Sequence, residues 1–307
     1  MERALALAEL GRGTTHPNPV VGAVVVRDGE VVGEGWHERK GGPHAEVNAL
    51  AAAGSLARGA TLYVTMEPCT HHGSTPPCTD AVLEAGIAKV VAGSLDPNTE
   101  AKGGLDVLRA AGIEAEDAEV FEARAQNEAW RTWVTQRRPF VILKLAVTLD
   151  GRVAVPGTRW ISNEESRRRV HQLRAQVDAV AVGMGTARAD DPELTARGVN
   201  AERQPRRLVF GSGVSKLEVR SGPLAEELES LADEGVQSLL LEGGPTLAAA
   251  FLGAGFVDKL MLFVAPRIGG EGPLFAPELA APISLSRPSA ERIGDDLLVT
   301  AYIHEPS

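Results

Sequence analysis

Aromatic residues are scarce in this chain: Phe, Trp and Tyr make up 4% of its 307 residues. A core with so few rings rests on Ala, Val, Leu and Ile. Cysteine is scarcer still, with only Cys69 and Cys78. In a secreted chain this pair could be one disulfide, whereas in a reducing cytoplasm metal binding or simple burial are the main choices. Long apolar runs are missing too. The longest, such as residues 20–26, fall far short of the roughly 20 residues that span a bilayer. Residues 1–13 carry Glu2 and Glu9 inside their apolar stretch and lack the basic and apolar regions of a secretion signal. The cytoplasm is therefore the expected compartment. Net positive charge is also absent. A formal charge of −10 argues against a broad nucleic-acid-binding surface, yet leaves room for a local basic pocket.

What is present is an alternation of apolar strands and Ala-rich helical stretches, which predicts an α/β design. At roughly 100–200 residues per domain, the length predicts two domains. In the first half, strands at 20–27 and 31–35 flank Asp28-Gly29, a hairpin signal. Helices are expected at 1–12, 44–54, 78–86, 103–111 and 121–136, with further strands at 61–65 and 89–93. The polar stretch Gln136-Arg137-Arg138-Pro139 is the best boundary, dividing the chain into 1–138 and 139–307. Beyond it, strands are expected at 140–148, 179–182, 207–210, 238–241, 260–264 and 297–303. Helices are expected at 163–175, 224–234 and 245–253, and 199–206 reads as a polar surface loop.

The first half contains His44-Ala45-Glu46, then Glu67-Pro68-Cys69, then Cys78 after eight intervening residues. One imidazole and two thiolates make three protein ligands, and a catalytic zinc site keeps its fourth position for water. Glu46, two residues beyond His44, can shuttle a proton between that water and a leaving amine, as in zinc deaminases, where the Glu is not a ligand. Both thiolates would lie near helix starts, where the helix dipole favours negative charge. Singly, these residues are commonplace: His-Ala-Glu is an ordinary helix start, and buried structural cysteines are frequent. Their conjunction in one order within thirty-five residues is what carries the signal. A closed structural zinc, completed by His71 or His72, is the alternative.

The second half is less explicit. Glycine turns follow two expected strands, at Gly183-Met184-Gly185-Thr186 and at Gly243-Gly244-Pro245-Thr246. Such a strand-to-helix turn suits a phosphate, although a plain tight turn is its commoner use. No Gly-x-Gly-x-x-Gly is present, so the dinucleotide fingerprint is absent. Ser162 or Asn163 would cap the helix that follows Trp160-Ile161.

The run from Thr14 to Gly22, then His37, then Gly42-Pro43-His44-Ala45-Glu46-Val47-Asn48, then Glu67-Pro68-Cys69-Thr70-His71-His72 through Thr75-Pro76-Pro77-Cys78, closely resembles the deaminase half of the bifunctional riboflavin-pathway deaminase/reductases. Lys144 to Gly151, Trp160-Ile161-Ser162, Val182 to Thr186, Asp190-Asp191-Pro192-Glu193-Leu194-Thr195 and Leu241-Glu242-Gly243-Gly244 resemble their reductase half, in the same order. The resemblance implies a cytidine-deaminase-like three-layer α/β/α domain followed by a dihydrofolate-reductase-like α/β domain. It implies Zn2+ and NADPH as cofactors, a phosphorylated pyrimidine as substrate, and a homo-oligomer, dimer or tetramer. Carried over by position, Asn18, His37 and His71 would hold the substrate of the deaminase. Ala146, Trp160, Thr186, Asp190, Ser212, Gly244, Pro245 and Thr246 would meet NADPH. Lys144, Asp150, Thr158, Arg174, Leu194, Arg197 and Glu242 would meet the substrate of the reductase, with the two guanidiniums suited to its phosphate.

The chain departs from the family in two places: Ser74 stands where Arg or Lys is usual, and Gly211 where Asp is usual. The segment 154–158 is also shorter than is usual, which blurs the placement of Thr158. Two rival readings are a nucleotide or tRNA-adenosine deaminase with an unrelated second domain, and a zinc-stabilised nucleotide-binding module without catalysis. The acidic charge and the long cysteine spacing count against the first, and the open ligand set with Glu46 against the second.

Overall fold

Asp28 and Gly29 take φ values of 51° and 84°, the backbone that a two-residue hairpin turn requires. Strand β1 (Gly22–Arg27) therefore folds back antiparallel onto β2 (Glu30–Trp36). Alternation along β1 sends Ala23 and Val25 to one face and Val24 to the other. Helix α1 (Glu2–Ala8) covers the Val24 face with Ala4 and Leu7, and α2 (Ala45–Ala53) covers the opposite one. Helix α2 lies so close that a Cβ on Gly35 would fall 2.4 Å from the Ala49 nitrogen and 2.7 Å from the Ala45 oxygen. Only glycine allows that approach.

The described residues of this computed structural model are 1–72, 76–201, 203–275 and 279–307. Ser74 lies outside them, as does Glu202 of the expected 199–206 loop. The chain divides into two compact units, Met1–Gln136 with Pro306–Ser307, and Arg137–Glu305.

In the first unit, β3 (Thr61–Val64) pairs antiparallel with β1, and β4 (Lys89–Ala92) and β5 (Glu114–Asp117) continue in parallel. The strand order is β2-β1-β3-β4-β5. Helices α3 (Cys78–Ala85) and α4 (Gly104–Ala110) follow β3 and β4 and complete the layer begun by α2. Helices covering both faces make this a three-layer α/β/α sandwich.

The second unit is built on β6 (Phe140–Thr148), whose buried residues include Phe140, Val141, Leu143 and Val147. The remaining elements are α7 (Glu164–Gln176), β7 (Ala179–Gly183), α8 (Met184–Asp190), β8 (Arg206–Phe210), β9 (Glu218–Arg220), α9 (Leu224–Asp233), β10 (Ser238–Leu241), α10 (Pro245–Gly253), β11 (Lys259–Ala265), β12 (Ser286–Ile293) and β13 (Asp296–Tyr302). The sheet order is β12-β13-β11-β6-β10-β7-β8-β9, all strands running one way except β13, which is antiparallel to both of its neighbours. A buried ion pair anchors its centre. Asp258, 1% exposed, accepts two hydrogen bonds of 2.7 Å from the Arg138 guanidinium and one of 2.8 Å from the Val141 nitrogen.

Several elements differ from expectation. The single helix expected over 121–136 is two, Phe121–Gln126 (α5) and Glu128–Gln136 (α6). The break falls at Asn127, whose side-chain amide accepts from the Val20 nitrogen and donates to the Val20 oxygen, both at 2.9 Å. Strands β5, β9 and β12 and helix α8 are additions to the expected set. Of the two cap candidates, Asn163 caps α7, its side chain accepting from the Ser166 nitrogen at 2.8 Å.

Candidate active sites

Three loops of the first unit converge on one point. His44 is the residue before α2, held in extended backbone, so its ring stands at the helix start. Cys78 is the first residue of α3. Cys69 lies on the loop after β3, and its carbonyl accepts from the Thr79 nitrogen at 3.3 Å. The His44 Nδ1 lies 3.2 Å from the Cys78 Sγ and 3.6 Å from the Cys69 Sγ. All three donor atoms lie within 4.8 Å of one another. A tetrahedral zinc with ordinary bond lengths separates such atoms by roughly 3.5–3.8 Å, so the donor set fits the ion. No fourth His, Cys, Asp or Glu joins this cluster among the described residues. His71 and His72 are exposed, which disfavours the closed structural site.

The loop carrying Cys69 is fixed by Glu67, two residues upstream. Its carboxylate accepts from the Leu105 nitrogen at 3.0 Å and the Asp96 nitrogen at 3.2 Å. Gly104 completes the fit, because a Cβ there would fall 1.8 Å from the Pro68 oxygen. The Glu67-Pro68-Cys69 motif by itself assigns Glu67 no role. Its partners are 29 and 38 residues away, so no local signal announced it.

Electrostatics at this point favour proton chemistry near neutrality. Burial pushes the Glu46 carboxyl up to about 7, against the opposing pull of His44. A hydrogen bond from Cys78 draws the Cys69 thiol down to about 4, with burial opposing and His44 assisting. Cys78 is pushed up by the same shared proton and by burial. His44, Glu46 and Cys69 face a cavity of about 400 Å³. Asn18, His37 and His71 also line it, as do Asp96, Trp130 and Trp133, which the sequence had not marked. The His37 Nδ1 meets the Pro43 carbonyl at 3.0 Å and therefore carries the proton. Its Nε2 is then free to accept from the Asn18 amide at 3.4 Å. Burial lowers the His37 pKa, which keeps the ring neutral.

The second unit holds a cavity of about 460 Å³ at the ends of its strands. It is lined by Lys144, Ala146, Trp160, Arg174, Thr186, Asp190, Arg197, Glu242, Gly244 and Pro245, so ten of the expected residues meet here. Five do not line it. Asp150 ties a neighbouring loop, accepting from the Gly269 and Gly270 nitrogens at 2.8 Å each. Leu194 is 2% exposed and serves the core, at a φ of 55°. Thr158 donates its backbone N–H to Val155 at 3.1 Å, while Ser212 and Thr246 are exposed outside the cavity. His171, Arg159 and Arg167 also line the cavity and went unmarked. The spacing of Arg167, His171 and Arg174 along α7 is one helical face, a pattern that could have revealed them.

Glu242 is the centre of this wall. It accepts from the Arg174 Nε at 2.6 Å and Nη2 at 3.0 Å, and from the Lys144 Nζ at 3.4 Å. Burial works to raise its pKa, but Lys144 and Arg174 outweigh it and hold the carboxyl below the usual range. Trp160, 54% exposed, carries the Arg159 and Arg167 guanidiniums at 5.4 and 5.2 Å from its ring.

The three-layer fold and the His-Cys-Cys donor set define a zinc-dependent deaminase, continued here by a second, reductase-like α/β domain. Two family models match accordingly: the cytidine and deoxycytidylate deaminase zinc-binding region over residues 1–94, and the RibD C-terminal domain over residues 139–299. The chain belongs to the RibD family of riboflavin biosynthesis, whose members join a zinc-binding deaminase domain to an NADPH-dependent reductase domain. It is 42% identical to the riboflavin biosynthesis protein RibD of Aquifex aeolicus, covering 97% of this chain and 96% of that one. The RibD of Escherichia coli is 40% identical, with 88% of each chain covered. Among solved structures, a diaminohydroxyphosphoribosylaminopyrimidine deaminase/5-amino-6-(5-phosphoribosylamino)uracil reductase from Thermotoga maritima superposes with a TM-score of 0.85 at 36% identity, covering 98% of this chain and 97% of that one. Acinetobacter baumannii RibD gives 0.84 at 32% identity, with the same coverage. No helix among the described residues is long and apolar enough to cross a membrane.

Proposed function

We propose that this enzyme carries out two consecutive steps of riboflavin biosynthesis. Residues 1–138 deaminate 2,5-diamino-6-ribosylamino-4(3H)-pyrimidinone 5′-phosphate. Residues 139–307 then reduce 5-amino-6-(5-phosphoribosylamino)uracil to its ribitylamino counterpart. The observation that carries this reading is the convergence of His44, Cys69 and Cys78 beside a buried Glu46, with His44, Glu46 and Cys69 in the wall of one cavity.

When bound, zinc lowers the pKa of a water toward neutrality and NADPH supplies a hydride to the ribosyl carbon. His44, Cys69 and Cys78 would hold the metal. Glu46 takes a proton from the water and returns protons to the ring nitrogen and the departing ammonia, a task suited to a carboxyl that titrates near 7. Asn18 presents its amide to the pyrimidine edge, backed by His37, and His71 lines the same cavity.

In the second domain, Ala146, Trp160, Thr186, Asp190, Gly244 and Pro245 seat the cofactor inside the cavity, with Thr246 and Ser212 meeting it outside. Lys144, Arg174, Arg197 and Glu242 orient the phosphorylated sugar. Lys144 is placed to steady charge that develops on the opening ribose, because Glu242 keeps its ammonium in the cavity wall. Asp150, Thr158 and Leu194 support the surrounding loops. A homo-oligomer of two or four copies in the cytoplasm belongs to the same reading.

The test is to incubate the zinc-loaded protein with the diaminopyrimidine ribosyl phosphate and resolve the products by mass spectrometry. The deaminated ribosylamino compound should accumulate without NADPH, and the ribitylamino compound should replace it when NADPH is added. Unchanged starting material under both conditions would overturn the proposal.

A further inference from the structure

The cavity of the first unit has two kinds of wall. Asn18, His37, His44, Glu46 and Asp96 bring polar atoms to it, and Val21, Met66, Trp130, Trp133 and Val134 bring apolar surface. Trp130, Trp133 and Val134 stand on one face of α6, at spacings of three and four residues. Two anchors hold that face against the rest of the cavity. At the start of α6, Asn127 bonds the Val20 nitrogen and oxygen, beside Pro19 and Val21 of the wall. Between the two tryptophans, Arg131 is 3% exposed and donates to the Leu95 oxygen at 3.0 Å and the Ser94 hydroxyl at 3.5 Å, beside Asp96 of the wall. Trp130 is 8% exposed, whereas Trp133 is half-buried and keeps indole surface to offer. All of α6 lies outside the zinc-binding region shared with cytidine and deoxycytidylate deaminases, which ends at residue 94. A planar pyrimidine has hydrogen-bonding groups along its edges and none on its faces. The polar groups of the cavity can hold edges only, so a face falls to apolar surface, and the flat surface on offer is the tryptophan pair.

We propose that Trp133, backed by Trp130, recognises the substrate of the deaminase by packing its indole against one face of the pyrimidine ring. This rests on the deaminase reading above, and adds a residue that neither the zinc motif nor the ring-edge contacts contain. The indole already covers the ring in the bound substrate, before water attacks. Trp133 therefore acts on binding and not on the chemical step, and its loss raises KM while sparing kcat. Arg131 has a different part: it touches no substrate and keeps α6 in place against the 94–96 segment.

Steady-state ammonia release by the zinc-loaded full chain tests this, with the diaminopyrimidine ribosyl phosphate as substrate. Trp133→Ala should raise KM about tenfold or more while kcat falls less than about threefold. Trp133→Phe should return KM to within about threefold of the native value, because a smaller ring still stacks. An unchanged KM in Trp133→Ala overturns the proposal, as does a loss of kcat at unchanged KM. Tryptophan fluorescence gives a second reading in the slow Glu46→Gln background. Substrate should quench the emission there, and adding Trp133→Phe should remove roughly half of the quench or more. If Trp133→Ala loses its zinc and its reduction of the deaminated intermediate, it has not folded, and the Trp133→Phe quench decides. A quench that survives undiminished in Trp133→Phe overturns the proposal. If the native chain releases no ammonia from this substrate, the deaminase reading itself falls.

Discussion

The two cavities are of similar size but are organised in opposite ways. In the first, the chemistry is concentrated and dry: Cys78 is 0% exposed, Glu46 3% and Cys69 6%. Its polar groups answer to one centre, and each is held by backbone bonds at a helix start or a short loop. In the second, the groups are spread over strand ends and the charges neutralise one another. Glu242 engages Lys144 and Arg174 together, and Arg197 pairs with Glu193 on the surface. A metal site needs fixed donors, because its ligands must meet within tenths of an ångström. A site for two large anionic ligands needs charges that can be re-paired when they enter, because a lone buried charge would be costly.

The sharpest way to break this contrast is at the metal. Cys78→Ala should leave the protein without stoichiometric zinc and without ammonia release, while NADPH oxidation with the deaminated substrate continues. Metal analysis alongside both assays checks it. Loss of both activities with zinc retained would contradict the assignment. Next in size is the buried ion pair of the second unit. Arg138→Ala strands Asp258, which is 1% exposed, and should destabilise that unit by about 3 kcal/mol in urea unfolding. A change below about 1 kcal/mol would show that the pair is not buried as described.

The smallest effect concerns pH. Glu242 titrates below its ordinary value of 4.5 because of Lys144 and Arg174. The stability from its ionised form is therefore complete above about pH 4.5 and is lost as the pH falls through the lowered pKa. Glu242→Gln should flatten that part of the acid limb in a series of urea midpoints. An unchanged slope would mean that the network contributes nothing to the resting protein.

The same contrast explains what could be read in advance. His44, Glu46, Cys69 and Cys78 fall within thirty-five residues, and their types and spacing are peculiar to one kind of chemistry. The central strands were equally plain, β6 and β10 at their full extents, because continuous apolar runs mark buried parallel strands. The elements that escaped are those without an apolar period. Strand β5 is Glu-Ala-Glu-Asp, and β12 is a largely exposed edge containing Pro288. The break between α5 and α6 depends on Asn127 reaching Val20, a contact across 107 residues that no local window contains. Beyond the glycine turn at 243–246 and the face of α7, the residues of the reductase cavity were collected through resemblance. Asp150 and Leu194 came by position alone; the Asp150 side chain ties a loop and Leu194 is buried.

The central claim is two independent catalytic centres working in series, and Glu46→Gln tests it most directly. Given the diaminopyrimidine substrate with zinc and NADPH, this variant should release ammonia about 10²–10⁴-fold more slowly than the native enzyme and consume NADPH no faster. Given the deaminated intermediate, it should oxidise NADPH at the native rate, with its zinc still bound. Native ammonia release by Glu46→Gln, or failure to reduce the supplied intermediate, would contradict the account.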